Sequence, residues 1–252
     1  MKRVLILGGT GEARALSHRL DDLADLTVAL AGVTRTPAAY GGRLRIGGFG
    51  GAEGLARWLE TERTDVLVDA THPFAARISA HAQAAAARAG CLLLRLERPE
   101  WHPAPGEHWQ VVADLAAALA ALPPGARPFL ATGAGSVAAL AARPDLGAVL
   151  RSIEPVPDLP ARITHLRARP PFTVAEETAM LRDHAVTHLV LRNSGGAAGR
   201  TKLAAAAALG LPVLMIGRPP LPEGVECLPT VDATRRRILG LPALDTPKPP
   251  AP

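Results

Sequence analysis

Aromatic residues and cysteine are scarce in this chain of 252 residues. It holds four Phe, three Trp, one Tyr and two cysteines, Cys91 and Cys227. Two thiols exclude a disulfide framework and any multi-cysteine metal cluster. So few rings leave little to stack on nucleobases. The formal charge is +5, but the basic residues are scattered, and the one run of three, Arg235-Arg236-Arg237, reads as the solvated face of a helix rather than a nucleic-acid patch. No apolar run approaches the ~20 residues of a membrane span. The opening run Val4 to Leu7 stops at a glycine pair, too short for a secretory signal, so the expected location is cytoplasmic and no membrane partner is expected. What is present is apolar: 48% hydrophobic against 20% charged residues excludes a disordered chain. At roughly 150 residues per domain the length suggests one or two domains.

Two periods alternate along the first hundred residues. Val4 to Leu7 is a short continuous apolar run, as in a buried parallel strand, and Ala13, Leu16, Leu20 and Leu23 then recur at helical spacing. Strands are expected at Leu26 to Ala31, Leu44 to Ile46, Val66 to Asp69 and Cys91 to Leu94. Helices are expected from about Ala52 to Glu62 and Phe74 to Ala89. A break with three prolines and a glycine covers Arg98 to Gly106. The alternation then resumes, with strands at Gln110 to Ala113, Phe129 to Ala131, Leu150 to Ile153, His188 to Leu191 and Pro212 to Ile216. Helices are expected at Ser136 to Ala142, Glu176 to His184 and Thr201 to Leu209. The expected fold is therefore α/β: two Rossmann-like lobes, each a parallel sheet flanked by helices, over residues 1–97 and 98–240, with a ligand cleft between them and a Pro-rich, disordered tail over 241–252.

The sharpest local pattern is Gly8-Gly9-Thr10-Gly11-Glu12 between the first strand and the first helix. Glycines there let backbone N–H groups approach a phosphate at the positive end of the helix dipole. Gly9 and Gly11 fit G-x-G-x-x-G, and Arg14 stands at its third glycine position. A tight turn without a ligand is the alternative. After the second strand, Gly32 to Thr36 carries no carboxylate and one guanidinium, Arg35. An arginine there suits a 2′-phosphate and so NADPH over NADH, against a solvated loop residue. Gly47-Gly48-Phe49-Gly50-Gly51 allows close backbone approach to a flat ligand, with Gly48 and Phe49 as candidates, or is a flexible loop. Asp69 to Ala75 ends the fourth strand, placing Thr71 or His72 at the edge of a nicotinamide or substrate. Nothing around His72 has metal-ligand spacing, and no metal is expected.

In the second lobe, Thr132 to Ser136 repeats the strand–glycine–helix arrangement, making Gly133 and Ser136 candidates. Asn193-Ser194-Gly195-Gly196 is a polar strand end. Lys202 reads as a cation at a helix start, where the dipole disfavours it unless an anion or solvent is near. Gly-x-Ser-x-Gly and P-loop patterns are missing, which leaves hydrolase and P-loop kinase readings without support.

Six motifs occur in one order: Gly8 to Ala13, Gly47 to Gly50, Asp69 to Ala75, Arg95 to Trp101, Asn193 to Gly196 with Lys202-Leu203, and Pro212 to Pro219. Together, over about residues 3 to 240, the chain resembles the precorrin-6A reductases, enzymes of corrin-ring biosynthesis on the way to cobalamin. The resemblance implies NADPH-dependent reduction of one macrocycle double bond, giving precorrin-6B. It implies a tetrapyrrole substrate held between two Rossmann-like domains, and transient contact with neighbouring pathway enzymes. Two positions depart from the family's pattern: Thr132 to Ser136 replaces a Thr-Gly-Arg type of segment, and Arg192 stands where Lys is common. Nucleotide contacts fall on Gly8, Gly9, Thr10, Gly11, Glu12, Arg35, Gly48, Phe49 and Thr71. Substrate contacts fall on Gly133, Ser136, Arg192, Asn193, Ser194 and Lys202, and His72 is the candidate proton donor. Alternatives are a cobalt-precorrin-6A reductase using NADH and a non-catalytic nucleotide- or corrinoid-binding module.

Overall fold

The computed structural model describes residues 1–32, 39–132, 135–221 and 223–241. The chain divides into two compact units, one of Met1–Arg98 together with the segment from Pro219 onward, the other of Pro99–Arg218.

The first unit alternates β1 (Arg3–Leu7), α1 (Gly11–Leu20), β2 (Asp25–Leu30), β3 (Arg43–Ile46), α2 (Gly51–Thr61), β4 (Val66–Asp69), α3 (Ala76–Ala89) and β5 (Leu92–Leu96). The second runs β6 (Trp109–Val112), α4 (Leu115–Ala120), β7 (Pro128–Leu130), α5 (Ser136–Leu140), β8 (Ala148–Ser152), β9 (Ile163–Arg167), α6 (Val174–Asp183), β10 (His188–Arg192), α7 (Ala197–Ala208) and β11 (Val213–Ile216). The chain then returns to the first unit with β12 (Glu226–Leu228) and α8 (Val231–Leu239). Among the described residues every strand pairing is parallel.

The two six-stranded sheets run β12-β5-β4-β1-β2-β3 and β6-β11-β10-β7-β8-β9. Each is doubly wound, with the strand order reversing beside its central strand, at β1/β4 and at β7/β10. The sixth strand differs in origin: β12 comes last in the chain, whereas β6 precedes the rest of its own sheet.

The side-chain period of two explains the layers of the first unit. Val4 and Ile6 turn to one face, where Leu16, Leu20 and Ile238 cover them. Leu5 and Leu7 turn to the other, under Leu55 and Leu59 of α2 and Ala82 and Ala85 of α3. Such two-sided burial is why β1 reads as an unbroken apolar run. In the second unit Phe129, Leu189, Leu191 and Met215 pack beneath Leu181, Leu203 and Ala206.

Three expectations are corrected. The lobe drawn over 98–240 loses its far end, because Ile238 joins the Leu16–Leu20 cluster and Glu226–Leu228 pairs with β5. The first helix stops at Leu20, leaving Leu23 exposed. The helix expected to begin at Thr201 begins at Ala197, so Lys202 stands in its second turn. Gly199 makes this possible: the Trp101 indole lies across the helix there, with Cζ2 only 2.3 Å from where a Cβ would sit. The tail 242–252 lies outside the described residues.

Candidate functional site

A cavity of about 560 Å³ opens at the carboxyl ends of the strands of the first unit, where doubly wound sheets take ligands. Gly8 and Gly9 border it after β1, Gly47 to Gly51 after β3, and Thr71 and His72 after β4, with Ile78 and His81 from α3. Of the residues singled out in sequence, Gly8, Gly9, Gly48, Phe49, Thr71 and His72 thus share one cavity. Thr10, Gly11 and Glu12 do not line it. Thr10 caps α1, its hydroxyl accepting from the Ala13 amide at 3.1 Å and donating to the Ala70 carbonyl at 2.7 Å. The Glu12 carboxylate is held by Arg98 at 2.8 Å. Arg35 lies outside the described residues.

The glycines serve different ends. Gly9 and Gly47 both have φ +115, backbone that a side chain rarely adopts. Gly48 has no such constraint, and a Cβ there would meet no protein atom within 4 Å. Its missing side chain keeps the cavity open. The loop is framed by two residues that sequence reasoning missed. The Arg45 guanidinium lies 3.9 Å over the Phe49 ring and donates to the carbonyls of Gly47 and Gly48. Trp58 meets Phe49 edge-on, with centroids 5.7 Å apart. Phe49 is therefore a fixed ring rather than a mobile one. A cavity floored by glycine backbone and one held aromatic fits a dinucleotide.

Behind Thr71 lies a buried ionic cluster. Arg95 reaches Asp69 at 2.6 Å and Glu97 at 2.6 Å, and none of the three side chains is more than 6% exposed. Its Nη1 also donates to the hydroxyls of Thr71 at 3.2 Å and Ser79 at 3.1 Å. Thr71 in turn donates to Asp69 through both its hydroxyl, at 2.7 Å, and its backbone N–H, at 3.1 Å. The sequence carried one signal of this: an arginine and a glutamate inside the leucine-rich run Leu92 to Glu97, where buried charge needs a partner. His72 is exposed, and its Nδ1 accepts from the Phe74 amide at 3.2 Å.

The candidates of the second unit fare unevenly. Ser136 is 1% exposed and its hydroxyl pairs with that of Thr132, so its side chain is turned inward. Asn193 is also buried. Its side-chain amide accepts from the Trp101 backbone N–H at 2.9 Å and donates to Glu100 at 3.2 Å and the Trp101 carbonyl at 3.0 Å, which ties down the start of the unit. Arg192 is exposed at the end of β10 and Ser194 is half-buried. Lys202 is half-buried, with Nζ 3.5 Å from the Gly199 carbonyl. Burial lowers its pKa, Glu177 opposes that shift and Arg151 adds to it. Arg151 holds Glu177 through two contacts, at 2.9 and 2.8 Å. The Glu177 carboxylate is thus held by Arg151, and among the described residues the side chain of Lys202 donates to the Gly199 carbonyl alone. Gly133 lies outside the described residues.

Residues 3–238 match the family model for precorrin-6x reductase CbiJ/CobK. A precorrin-6A reductase of Rhodococcus erythropolis is 52% identical, over 92% of this chain and 94% of the relative. One from Mycobacterium tuberculosis H37Rv is 44% identical over 96% of this chain and the whole of the relative. A solved structure of CobK precorrin-6A reductase superimposes with a TM-score of 0.87 at 42% identity, covering 95% of this chain and 98% of that one.

Proposed function

The chain belongs to the precorrin-6x reductase family, reductases of cobalamin biosynthesis, and we propose that it reduces one double bond of the precorrin-6A macrocycle with NADPH, giving precorrin-6B. The observation that carries this reading is the glycine-floored cavity at the strand ends of the first unit, bordered by Gly9, Gly48, Phe49 and Thr71.

Bound there, a reduced nicotinamide supplies a hydride; the acceptor double bond takes up that hydride and one proton. The chain's own task is placement, since reacting atoms must stand about 3–3.5 Å apart. The phosphates are assigned to the turn from Gly9 to Glu12, with Gly9 at the cavity border and Thr10, Gly11 and Glu12 just beyond its lining. There the amides of Gly11 and Glu12 open α1 without partners inside the helix. Thr10 contributes through that backbone, its side chain being committed to the cap. Arg35 is assigned the 2′-phosphate. In the second unit, Arg192, Ser194 and Lys202 receive carboxylate arms of the macrocycle. His72 stands at the cavity edge as the donor of the proton.

Purified protein mixed with NADPH and precorrin-6A, followed at the nicotinamide and macrocycle absorption bands together, tests the reading. Equimolar loss of NADPH and of substrate is expected. Tetrapyrrole binding without nucleotide oxidation would mark a carrier instead.

A further inference from the structure

The hydroxyl of Thr71 has a fixed polarity. A threonine hydroxyl offers one hydrogen and two lone pairs. Its hydrogen is committed to Asp69 Oδ1 at 2.7 Å, and one lone pair receives Arg95 Nη1 at 3.2 Å. Among the described residues no other polar side chain reaches it. Asp69 cannot reverse the arrangement. Its Oδ1 already accepts the Thr71 amide, its Oδ2 accepts Arg95 at 2.6 Å, and a carboxylate beside a guanidinium only accepts.

Arg95 is itself immobile. Its Nε and Nη2 point to Glu97, at 2.8 and 2.6 Å, and its Nη1 is divided among Asp69, Thr71 and Ser79. The planar fork fixes these directions together in a way that a lysine ammonium would not.

We propose that Arg95 is a positioning residue which, through Asp69, presents Thr71 to the cavity as a hydrogen-bond acceptor only, so that the nucleotide group placed against Thr71 is an N–H or O–H donor. This rests on the nucleotide reading above. In the nicotinamide half of that dinucleotide, the part assigned to the end of β4, such donors are the amide nitrogen of the carboxamide and the 2′- and 3′-hydroxyls of the ribose. Phosphate and ring faces offer nothing that Thr71 could use.

The test is binding of oxidised nucleotide measured by calorimetry, with no tetrapyrrole present. Four ligands are compared: NADP⁺, its analogue with an acetyl group in place of the carboxamide, and its two analogues lacking the 2′- or the 3′-hydroxyl of the nicotinamide ribose. The native protein is expected to bind one analogue about tenfold more weakly than NADP⁺, the worth of one hydrogen bond left unmade. Which analogue suffers identifies the donor. In Thr71→Val that preference falls to about one, while Thr71→Ser keeps it. Arg95→Lys lowers the preference when Thr71 is present and changes nothing further in the Arg95→Lys/Thr71→Val double variant, an interaction that general loss of stability would not produce. Should Arg95→Lys fail to fold, Asp69→Asn, whose amide can donate to the Thr71 hydroxyl and release its hydrogen, lowers the same preference. A preference unchanged in Thr71→Val, with NADP⁺ still bound, overturns the inference alone. A native protein that binds no NADP⁺ overturns the nucleotide reading with it.

Discussion

Trp101 donates its indole N–H to the Gly196 carbonyl at 2.7 Å and covers Gly199 so closely that a Cβ there would lie 2.3 Å from the ring. One aromatic side chain thereby fixes both the loop before α7 and the helix's first turn. Gly199→Ala sets two effects against each other. Alanine gains about 1 kcal/mol of helix propensity, while forcing the indole aside costs about 1–3 kcal/mol. The steric effect is the larger, and the urea midpoint of the second unit is expected to fall. An unchanged or raised midpoint would show that Trp101 is free to move.

Gly48 separates binding from stability. Its φ is not in the left-handed region and no protein atom stands near its missing Cβ. Gly48→Leu should therefore leave the melting temperature within about 2 °C, as for a surface change, while weakening NADPH binding on the order of tenfold or more by filling the cavity. Equal nucleotide affinity in parent and variant, read by calorimetry, would place the dinucleotide elsewhere.

The burial of Lys202 makes stability depend on pH. Burial holds its ammonium below the ordinary 10.5. Between that lowered value and 10.5 the unfolded chain binds more protons at this site than the folded one. The residue's cost to stability is therefore full below the window and is relieved as pH rises through it. Lys202→Met should be more stable than its parent at pH 7, with the difference shrinking toward pH 10.5, in paired urea titrations. The same variant should bind precorrin-6A about tenfold more weakly, one charge-assisted contact being lost, with NADPH affinity unmoved. Parallel stability curves, or an unchanged substrate titration, would count against this account.

His72→Asn keeps an acceptor for the Phe74 amide, which the imidazole Nδ1 now receives at 3.2 Å, while removing the only group in that side chain able to protonate near neutrality. If His72 delivers the proton, kcat falls about 10²-fold and loses one limb of its pH profile. A profile of unchanged shape and height would leave His72 a turn residue.

Much of the fold was legible because burial on both faces makes a strand an apolar run, as in Val4 to Leu7 and Val66 to Val68. Gly8, Gly9 and Thr71 could be placed near one another for a similar reason, since they follow closely on those runs, whereas Gly47 to Gly51 follow the mostly exposed Arg43–Ile46. The partner sheet of a strand was not legible. Glu226–Leu228 has only three residues and no apolar alternation, and nothing local says that it pairs with Leu94–Leu96. Polar residues at strand ends are hard to read in sequence for a related reason. Asn193 and Ser136 have the side chains of ligand contacts, yet Asn193 holds Trp101, 92 positions away, and Ser136 turns toward Thr132. Residue type does not record direction. Arg95 was readable in principle, as a charge inside a leucine run, but its partner Asp69 lies on the neighbouring strand.

The first unit is interrupted in sequence and completed by β12 and α8, which follow the whole second unit. A polypeptide leaving the ribosome therefore has every strand of its second sheet in hand while its first still lacks an edge strand and the α8 covering that brings Ile238 onto Leu16 and Leu20. Synthesis order and assembly order are inverted: the half that begins first must wait with part of its apolar face uncovered until the residues beyond Pro219 have been made.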